Sequence, residues 1–179
     1  MAWKITAEEL LARYTDGERN FAGVTITSIS NRLCPYLEGV NLQDINLRGA
    51  DLSDWNLREI NLTGAKLFGA CLENVCLNDA IVRNADLRNV DLSFATLYKA
   101  DFTNSILSGM KAISTTFDRA KLPRYGFERA VLIDCSFEGV IPAKYDLICR
   151  ANNFIYDVTM FDGTVEQGPF FGEWKGICK

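Results

Sequence analysis

From Leu42 onward a large apolar residue recurs at every fifth position in one unbroken phase. The column reads Leu42, Leu47, Leu52, Leu57, Leu62, Leu67, Leu72, Leu77, Val82, Leu87, Leu92, Leu97, Phe102 and Leu107, then Ala112, Phe117, Leu122, Phe127, Leu132, Phe137, Pro142 and Leu147. Two residues before each stands a second, mostly small column, as at Ala50, Ala65, Ala70, Ala80, Ala85, Ala95 and Ala100. Between the columns the residue is usually polar, as at Asn41, Asn46, Asp51, Asn56, Asn61, Asp86, Asp91 and Asp101. A period of five matches neither the helical 3.6 nor the 2.0 of a continuous strand. It predicts a short extended piece followed by a corner. Residues two apart on an extended segment point the same way, so Ala50 and Leu52 face inward, Asp51 faces out, and Ser53 and Asp54 turn the chain. One such unit buries nothing alone, so successive turns must stack and share an interior, their backbones hydrogen-bonded at ~4.8 Å as strands are.

The repeat needs closure at both ends, where backbone and core would otherwise be exposed. Residues 1–17 are expected to supply a capping helix. Thr6 and Glu9 have the spacing of a capping box, Ile5 and Leu10 that of a hydrophobic staple, and Gly17 marks the stop. Ala7, Leu10, Leu11 and Tyr14 form its apolar face. The β-helix proper is expected over residues 18–150, regular from about 40, with Phe21 and Ile26 opening the phase and Ser30 to Pro35 irregular. After Leu147 the phase is lost, and residues 151–179, with Phe170, Phe171 and Trp174, are read as a tail folding back over the last coil.

Composition narrows the function. The net charge is -4 and the pI near 4.9, against a direct nucleic-acid binder, which needs a basic stripe. No apolar run has the length of a signal-peptide core or a membrane span, so the expected location is the cytoplasm, without membrane contact. Cys34, Cys71, Cys76, Cys135, Cys149 and Cys178 show no C-x-x-C spacing and read as reduced thiols rather than a metal site or a disulfide framework. The chain has no histidine, which removes the usual Ser-His and Cys-His nucleophile pairs. Asp51, Asp86, Asp91 and Asp101 occupy the outward repeat position and read as turn-compatible surface groups. The chain is therefore expected not to be an enzyme, with no catalytic residue, cofactor, metal or small-molecule substrate.

The pattern resembles the pentapeptide-repeat family, whose unit is written A-(D/N)-L-x-x, over roughly Val40 to Leu147. The resemblance implies an all-β solenoid: a right-handed quadrilateral parallel β-helix with four units, or twenty residues, per coil. Two pairs of exceptions agree with twenty. Tyr125 and Tyr145 interrupt the small column, and Phe117 and Phe137 are both aromatic in the large one, so each pair is expected to stack. Met110 beside Ala112 reads as a volume-matched exchange inside the core. The opening segment and the tail are similar, more loosely, to cyanobacterial pentapeptide-repeat proteins.

A twenty-residue coil assigns each residue to one side of a prism. The side through Leu52, Leu72, Leu92, Ala112 and Leu132 presents Asp51, Asp54, Glu73, Asp91 and Asp134 against Lys111. The side through Leu42 to Leu122 and Pro142 presents Arg83, Lys121, Arg124 and Lys144 against Asp44 and Asp101. The acidic side also carries Phe94, Ile113, Val131 and Ile133 at outward positions. A rigid prism with an apolar cluster ringed by acids reads as a scaffold that binds another protein there. The alternative, implied by the resemblance, is an acidic DNA mimic inhibiting a DNA-binding enzyme such as a type II topoisomerase. Five coils span ~24 Å, over which a duplex carries ~14 phosphates, and this side offers far fewer charges. Family members of that kind dimerise through a C-terminal helix, for which Gly163, Gly168, Pro169 and Gly172 are poor material.

Overall fold

The computed structural model describes residues 3–27, 37–142, 148 and 152–169. The chain returns onto itself in parallel every twenty residues. One ladder of bridges runs Asn41, Asn61, Ile81, Asp101, Lys121, Ile141, and a second Asn56, Cys76, Thr96, Thr116, Ser136. A third runs Asn20, Asn46, Lys66, Asp86, Ile106, and the acidic side supplies the fourth. Four ladders per turn make a coil of four five-residue units. Both columns point inward: Leu52, Leu72, Leu92 and Leu132 are buried, as are Ala50, Ala70 and Ala130. Met110 and Ala112 are both fully buried, and the Phe117 and Phe137 rings stack at 4.6 Å and 7°.

The polar residue between the columns builds the corner. Its side chain accepts a hydrogen bond from the backbone N–H two residues on, as Asp51 does from Ser53 (3.1 Å), Asp91 from Ser93 (3.0 Å) and Asp101 from Thr103 (3.0 Å). This is an Asx-turn, which explains why the repeat uses Asp or Asn there. The corner then closes on a left-handed residue at every fifth position, as at Asp54, Asn74, Asp79, Asn84 and Asn89. Glycine, Asn and Asp tolerate that conformation best. Where a polar residue enters the small column, it donates back to a carbonyl 23 residues earlier: Thr115 to Leu92 at 2.8 Å and Cys135 to Ala112 at 3.3 Å.

One unit breaks the rule. Lys121 has no side-chain acceptor for an Asx-turn, Pro123 has no N–H to donate, and Arg124 is missing from the left-handed series. Tyr125 consequently leaves the interior and stands 84% exposed, which corrects its expected place in a buried stack. Tyr145, its expected partner, lies outside the described residues.

The N-terminal cap is more than a helix. Strand β1 (Trp3–Thr6) pairs in parallel with β2 (Val24–Thr27), Ile5 opposite Ile26, and so adds a rung below the first coil. Helix α1 (Ala7–Thr15) follows, with the Thr6 hydroxyl accepting from the Glu9 N–H at 3.1 Å. It ends with Gly17 N–H on the Tyr14 carbonyl and Glu18 N–H on that of Arg13, satisfying two carbonyls of the last turn. Phe21, Val24 and Ile26 are buried, as the opening phase requires. The ladder step from Thr25 to Asp51 is 26 residues rather than twenty; Ser30 to Pro35, expected to be irregular, lie outside the described residues.

At the other end the repeat does not stop at 147. Strands β3 (Lys111–Ile113), β4 (Val131–Ile133) and β5 (Phe154–Tyr156) continue the acidic side, β5 arriving after 23 residues. Ile155, Val158 and Met160 are buried, and Asn153 is buried with its amide bonding Ala130 N–H and the Ile148 carbonyl. The phase is shifted by three, so part of the expected tail is another coil. Strand β6 (Val158–Thr159) then takes the antiparallel β7 (Val165–Glu166). Gly168 presses on the backbone of Ile155 and Tyr156, where a Cβ would collide. Phe170, Phe171 and Trp174 lie outside the described residues.

Candidate functional site

The acidic side is one continuous ladder through Lys4, Thr25, Asp51, Cys71, Asp91, Lys111, Val131 and Phe154. Its lower coils carry most of the acids, and its upper coils carry the outward apolar groups together with Asp134 and Asp157. Asp51 and Asp54 are exposed, Asp51 holding the Ser53 hydroxyl at 2.7 Å and Asp54 the Asn74 amide at 2.8 Å. Glu73 is exposed, and Asp134 accepts from the Ser114 hydroxyl at 2.9 Å. Asp91 differs, because the Lys111 ammonium sits on it at 2.9 Å. Burial alone would raise the Asp91 carboxyl, but hydrogen bonds from Ser93 and from Lys111 hold it below the usual range. Asp51, Asp54, Glu73 and Asp134 have no ion-pair partner among the described residues.

On the upper coils Ile113, Ile133 and Tyr156 stand in one column, paired in register through β3, β4 and β5. Val131 lies beside that column, half-buried like Ile113 and Ile133, while Tyr156 is exposed. Phe94 joins from the coil below: its N–H donates to the Ile113 carbonyl at 2.7 Å, and half of its surface is exposed. Its φ of +63° places an aromatic side chain in the left-handed corner conformation. For a bulky residue that costs ~1–2 kcal/mol. With Ser53, Asp54, Glu73 and Asn74 it lines an open cleft of about 440 Å³. The structure thus brings Phe94, Ile113, Val131 and Ile133 together and adds Tyr156 with its neighbour Asp157, which sequence reasoning missed. The signal was present: Asn153, Ile155, Val158 and Met160 repeat the two-three-two spacing of the buried columns, three residues late.

Other sides carry different chemistry. On the Asp101 side, Arg83 and Lys121 reach the Asp101 carboxylate at 2.7 and 3.4 Å. Burial pushes that carboxyl up, but the hydrogen bonds from Arg83 and Thr103 outweigh it and hold it at about 2. Phe68 receives Arg48 and Arg88 at 5.2 and 5.5 Å from its ring. A second cleft, of about 530 Å³, lies at the broken corner between Ile106 and Tyr125. Cys71, Cys76 and Cys135 are free thiols, that of Cys135 pushed up to about 11 by burial. Among the described residues no group of His, Cys, Asp or Glu is arranged to hold a metal ion, and no helix is long and apolar enough to cross a membrane.

Known proteins give the arrangement its relatives. The family described as pentapeptide repeats matches residues 45–84 and 77–109 in eight copies. A pentapeptide repeat protein of the Arabidopsis thaliana thylakoid lumen is 26% identical, over 70% of this chain and 68% of that one, with a TM-score of 0.45. A pentapeptide repeat protein from Nostoc PCC 7120 is 32% identical over 58% of this chain and 85% of that one, with a TM-score of 0.33. HetL, involved in heterocyst differentiation regulation in Nostoc sp. strain PCC 7120, is 20% identical over 90% of this chain and all of that one, with a TM-score of 0.35. No curated protein matches the sequence.

Proposed function

Since this chain belongs to the pentapeptide-repeat family, we propose that it is a non-enzymatic scaffold: a right-handed quadrilateral prism that docks another protein on its acidic side. Each coil connects parallel strands of one sheet, and such connections turn right-handed almost without exception. The observation that carries the docking face is the outward column of Ile113 and Ile133 beside half-exposed Phe94, with Val131 flanking it. The backbone ladder does not require apolar groups there, since Asp51, Ser53 and Glu73 serve the same positions below. Binding energy concentrates in a few apolar residues that become buried, which suits a cluster of this size. A cytoplasmic place of action belongs to the same proposal, and the free thiols are compatible with a reducing compartment.

DNA mimicry is the weaker reading on magnitude. With Asp91 neutralised by Lys111, the acids named on this side fall well short of the ~14 phosphates of a duplex of equal length. The experiment compares Ile113→Asp and Ile133→Asp with the wild type in capture of partners from the source organism. Both should lose the partner and keep the wild-type melting curve. Unchanged capture would remove the face from consideration. Inhibition of topoisomerase supercoiling at micromolar protein would restore the mimic.

A further inference from the structure

Coils in register make the apolar column straight. Ile113, Ile133 and Tyr156 stand over one another on three successive levels of the acidic side, so apolar groups recur at the strand spacing of ~4.8 Å along the stack axis. Phe94, one level lower, stands at the adjacent corner in register with Ser114. What can lie along such a column is set by repeat distance. An extended peptide presents same-side residues every ~6.8 Å and slips by ~2 Å at each level. A strand laid across the axis meets the column once. An α-helix presents an i, i+4, i+7 stripe at about one turn, ~5.4 Å, and slips by only ~0.6 Å. Two steps cover ~10 Å, about six or seven helical residues.

The margin of the column toward the following corner is acidic. Asp134 and Asp157 each stand one residue beyond Ile133 and Tyr156, both exposed, and neither has an ion-pair partner among the described residues. Glu73 closes the lower end beside Phe94. The far margin is mixed, with exposed Arg129 beside exposed Glu128 and Lys111 held on Asp91. A ligand that matches both features has an apolar stripe with cations along one flank. We infer that the acidic side takes a basic amphipathic α-helix of a partner protein, laid parallel to the stack axis with its Lys or Arg flank toward Asp134 and Asp157. This rests on the docking face proposed above and specifies its occupant.

The test uses the full chain and a synthetic peptide of about 14 residues, with leucines at i, i+4, i+7 and i+11 and lysines along one flank. Two controls accompany it, one with the lysines replaced by Glu and one with a central proline. The lysine peptide should bind at micromolar concentration, about tenfold more tightly than either control. Asp134→Asn with Asp157→Asn should weaken it several-fold and flatten its salt dependence. Ile133→Asp should abolish it, and Tyr156→Ser, at a more exposed position, reports the same loss should Ile133→Asp disturb folding. Equal binding of the proline peptide would overturn the helical occupant, and equal binding of the Glu peptide would overturn the basic one. No binding by any of the three overturns the inference, while the docking face stands if Ile113→Asp and Ile133→Asp still lose their natural partner. Variants that lose the peptide and keep that partner leave the helix site in place and remove the wider reading.

Discussion

The lower and upper halves of the acidic side share a backbone and differ in what stands on it. Below, Asp51 and Asp91 fold their carboxylates back onto Ser53 and Ser93, and pairing on this side is by single bridges. Above, Lys111, Val131 and Phe154 occupy the Asx position without a carboxylate or amide acceptor, and the pairing lengthens into three-residue strands. Ser114, Asp134 and Asp157 still close each corner in the left-handed conformation. Hydrogen bonds between coils therefore hold the stack whether or not the Asx-turn forms. Outward residues are released from structural duty, and the upper half spends that freedom on an apolar column.

If one interior serves both halves, damaging it between them should fell both. Leu92→Asp places an unpaired charge at a fully buried position and should abolish cooperative unfolding and soluble expression. A soluble protein with a sharp transition would mean that the two halves do not share a core.

Acid should cost less and act at one bolt. Asp101 ties Arg83, from the coil below, to Lys121 above. Its carboxyl lies at about 2 in the folded chain against 3.8 for the free side chain. A depressed pKa stabilises above the unfolded value and is lost as pH falls through the folded one. The wild type should thus lose on the order of 2 kcal/mol between about pH 4 and pH 2 through this group. Urea midpoints measured across that window, for wild type and Asp101→Asn, check the assignment: the variant should begin less stable at pH 7 and lose less on acidification. Identical pH slopes would place the acid sensitivity elsewhere.

The smallest effect has the opposite sign. Phe94 sits where the two halves meet, in a backbone conformation that Asn tolerates better. Phe94→Asn should raise stability by about 0.5–1 kcal/mol, read as a higher melting temperature, while weakening partner capture. A lower melting temperature would show that the ring is held by packing, and would end its reading as a strained contact residue.

Much of this was legible before any coordinates. The phase through Leu92, Ala112 and Leu132 decided which side chains point outward, and so found Phe94, Ile113, Val131 and Ile133. It failed where the count changed. Three extra residues before Asn153 shifted the columns and hid Tyr156, and a corner lacking both Asx acceptor and N–H expelled Tyr125. Strand β1 escaped because only Ile5 of its four residues is buried, too little pattern to read against the helix that follows.

Periodicity is local, and it was enough to specify coil length, the two buried columns and the polarity of each side, because every fifth residue meets the same environment. Which carboxylates keep a free charge, and which surface groups line up into a column, depends on neighbours twenty or twenty-three residues away. Lys111 neutralises Asp91 across one coil, and Tyr156 stands over Ile133 only because β5 re-enters the ladder after the longer step. Such long steps are settled by where the chain can next bury a column and pair its backbone, a choice made by the stack already formed.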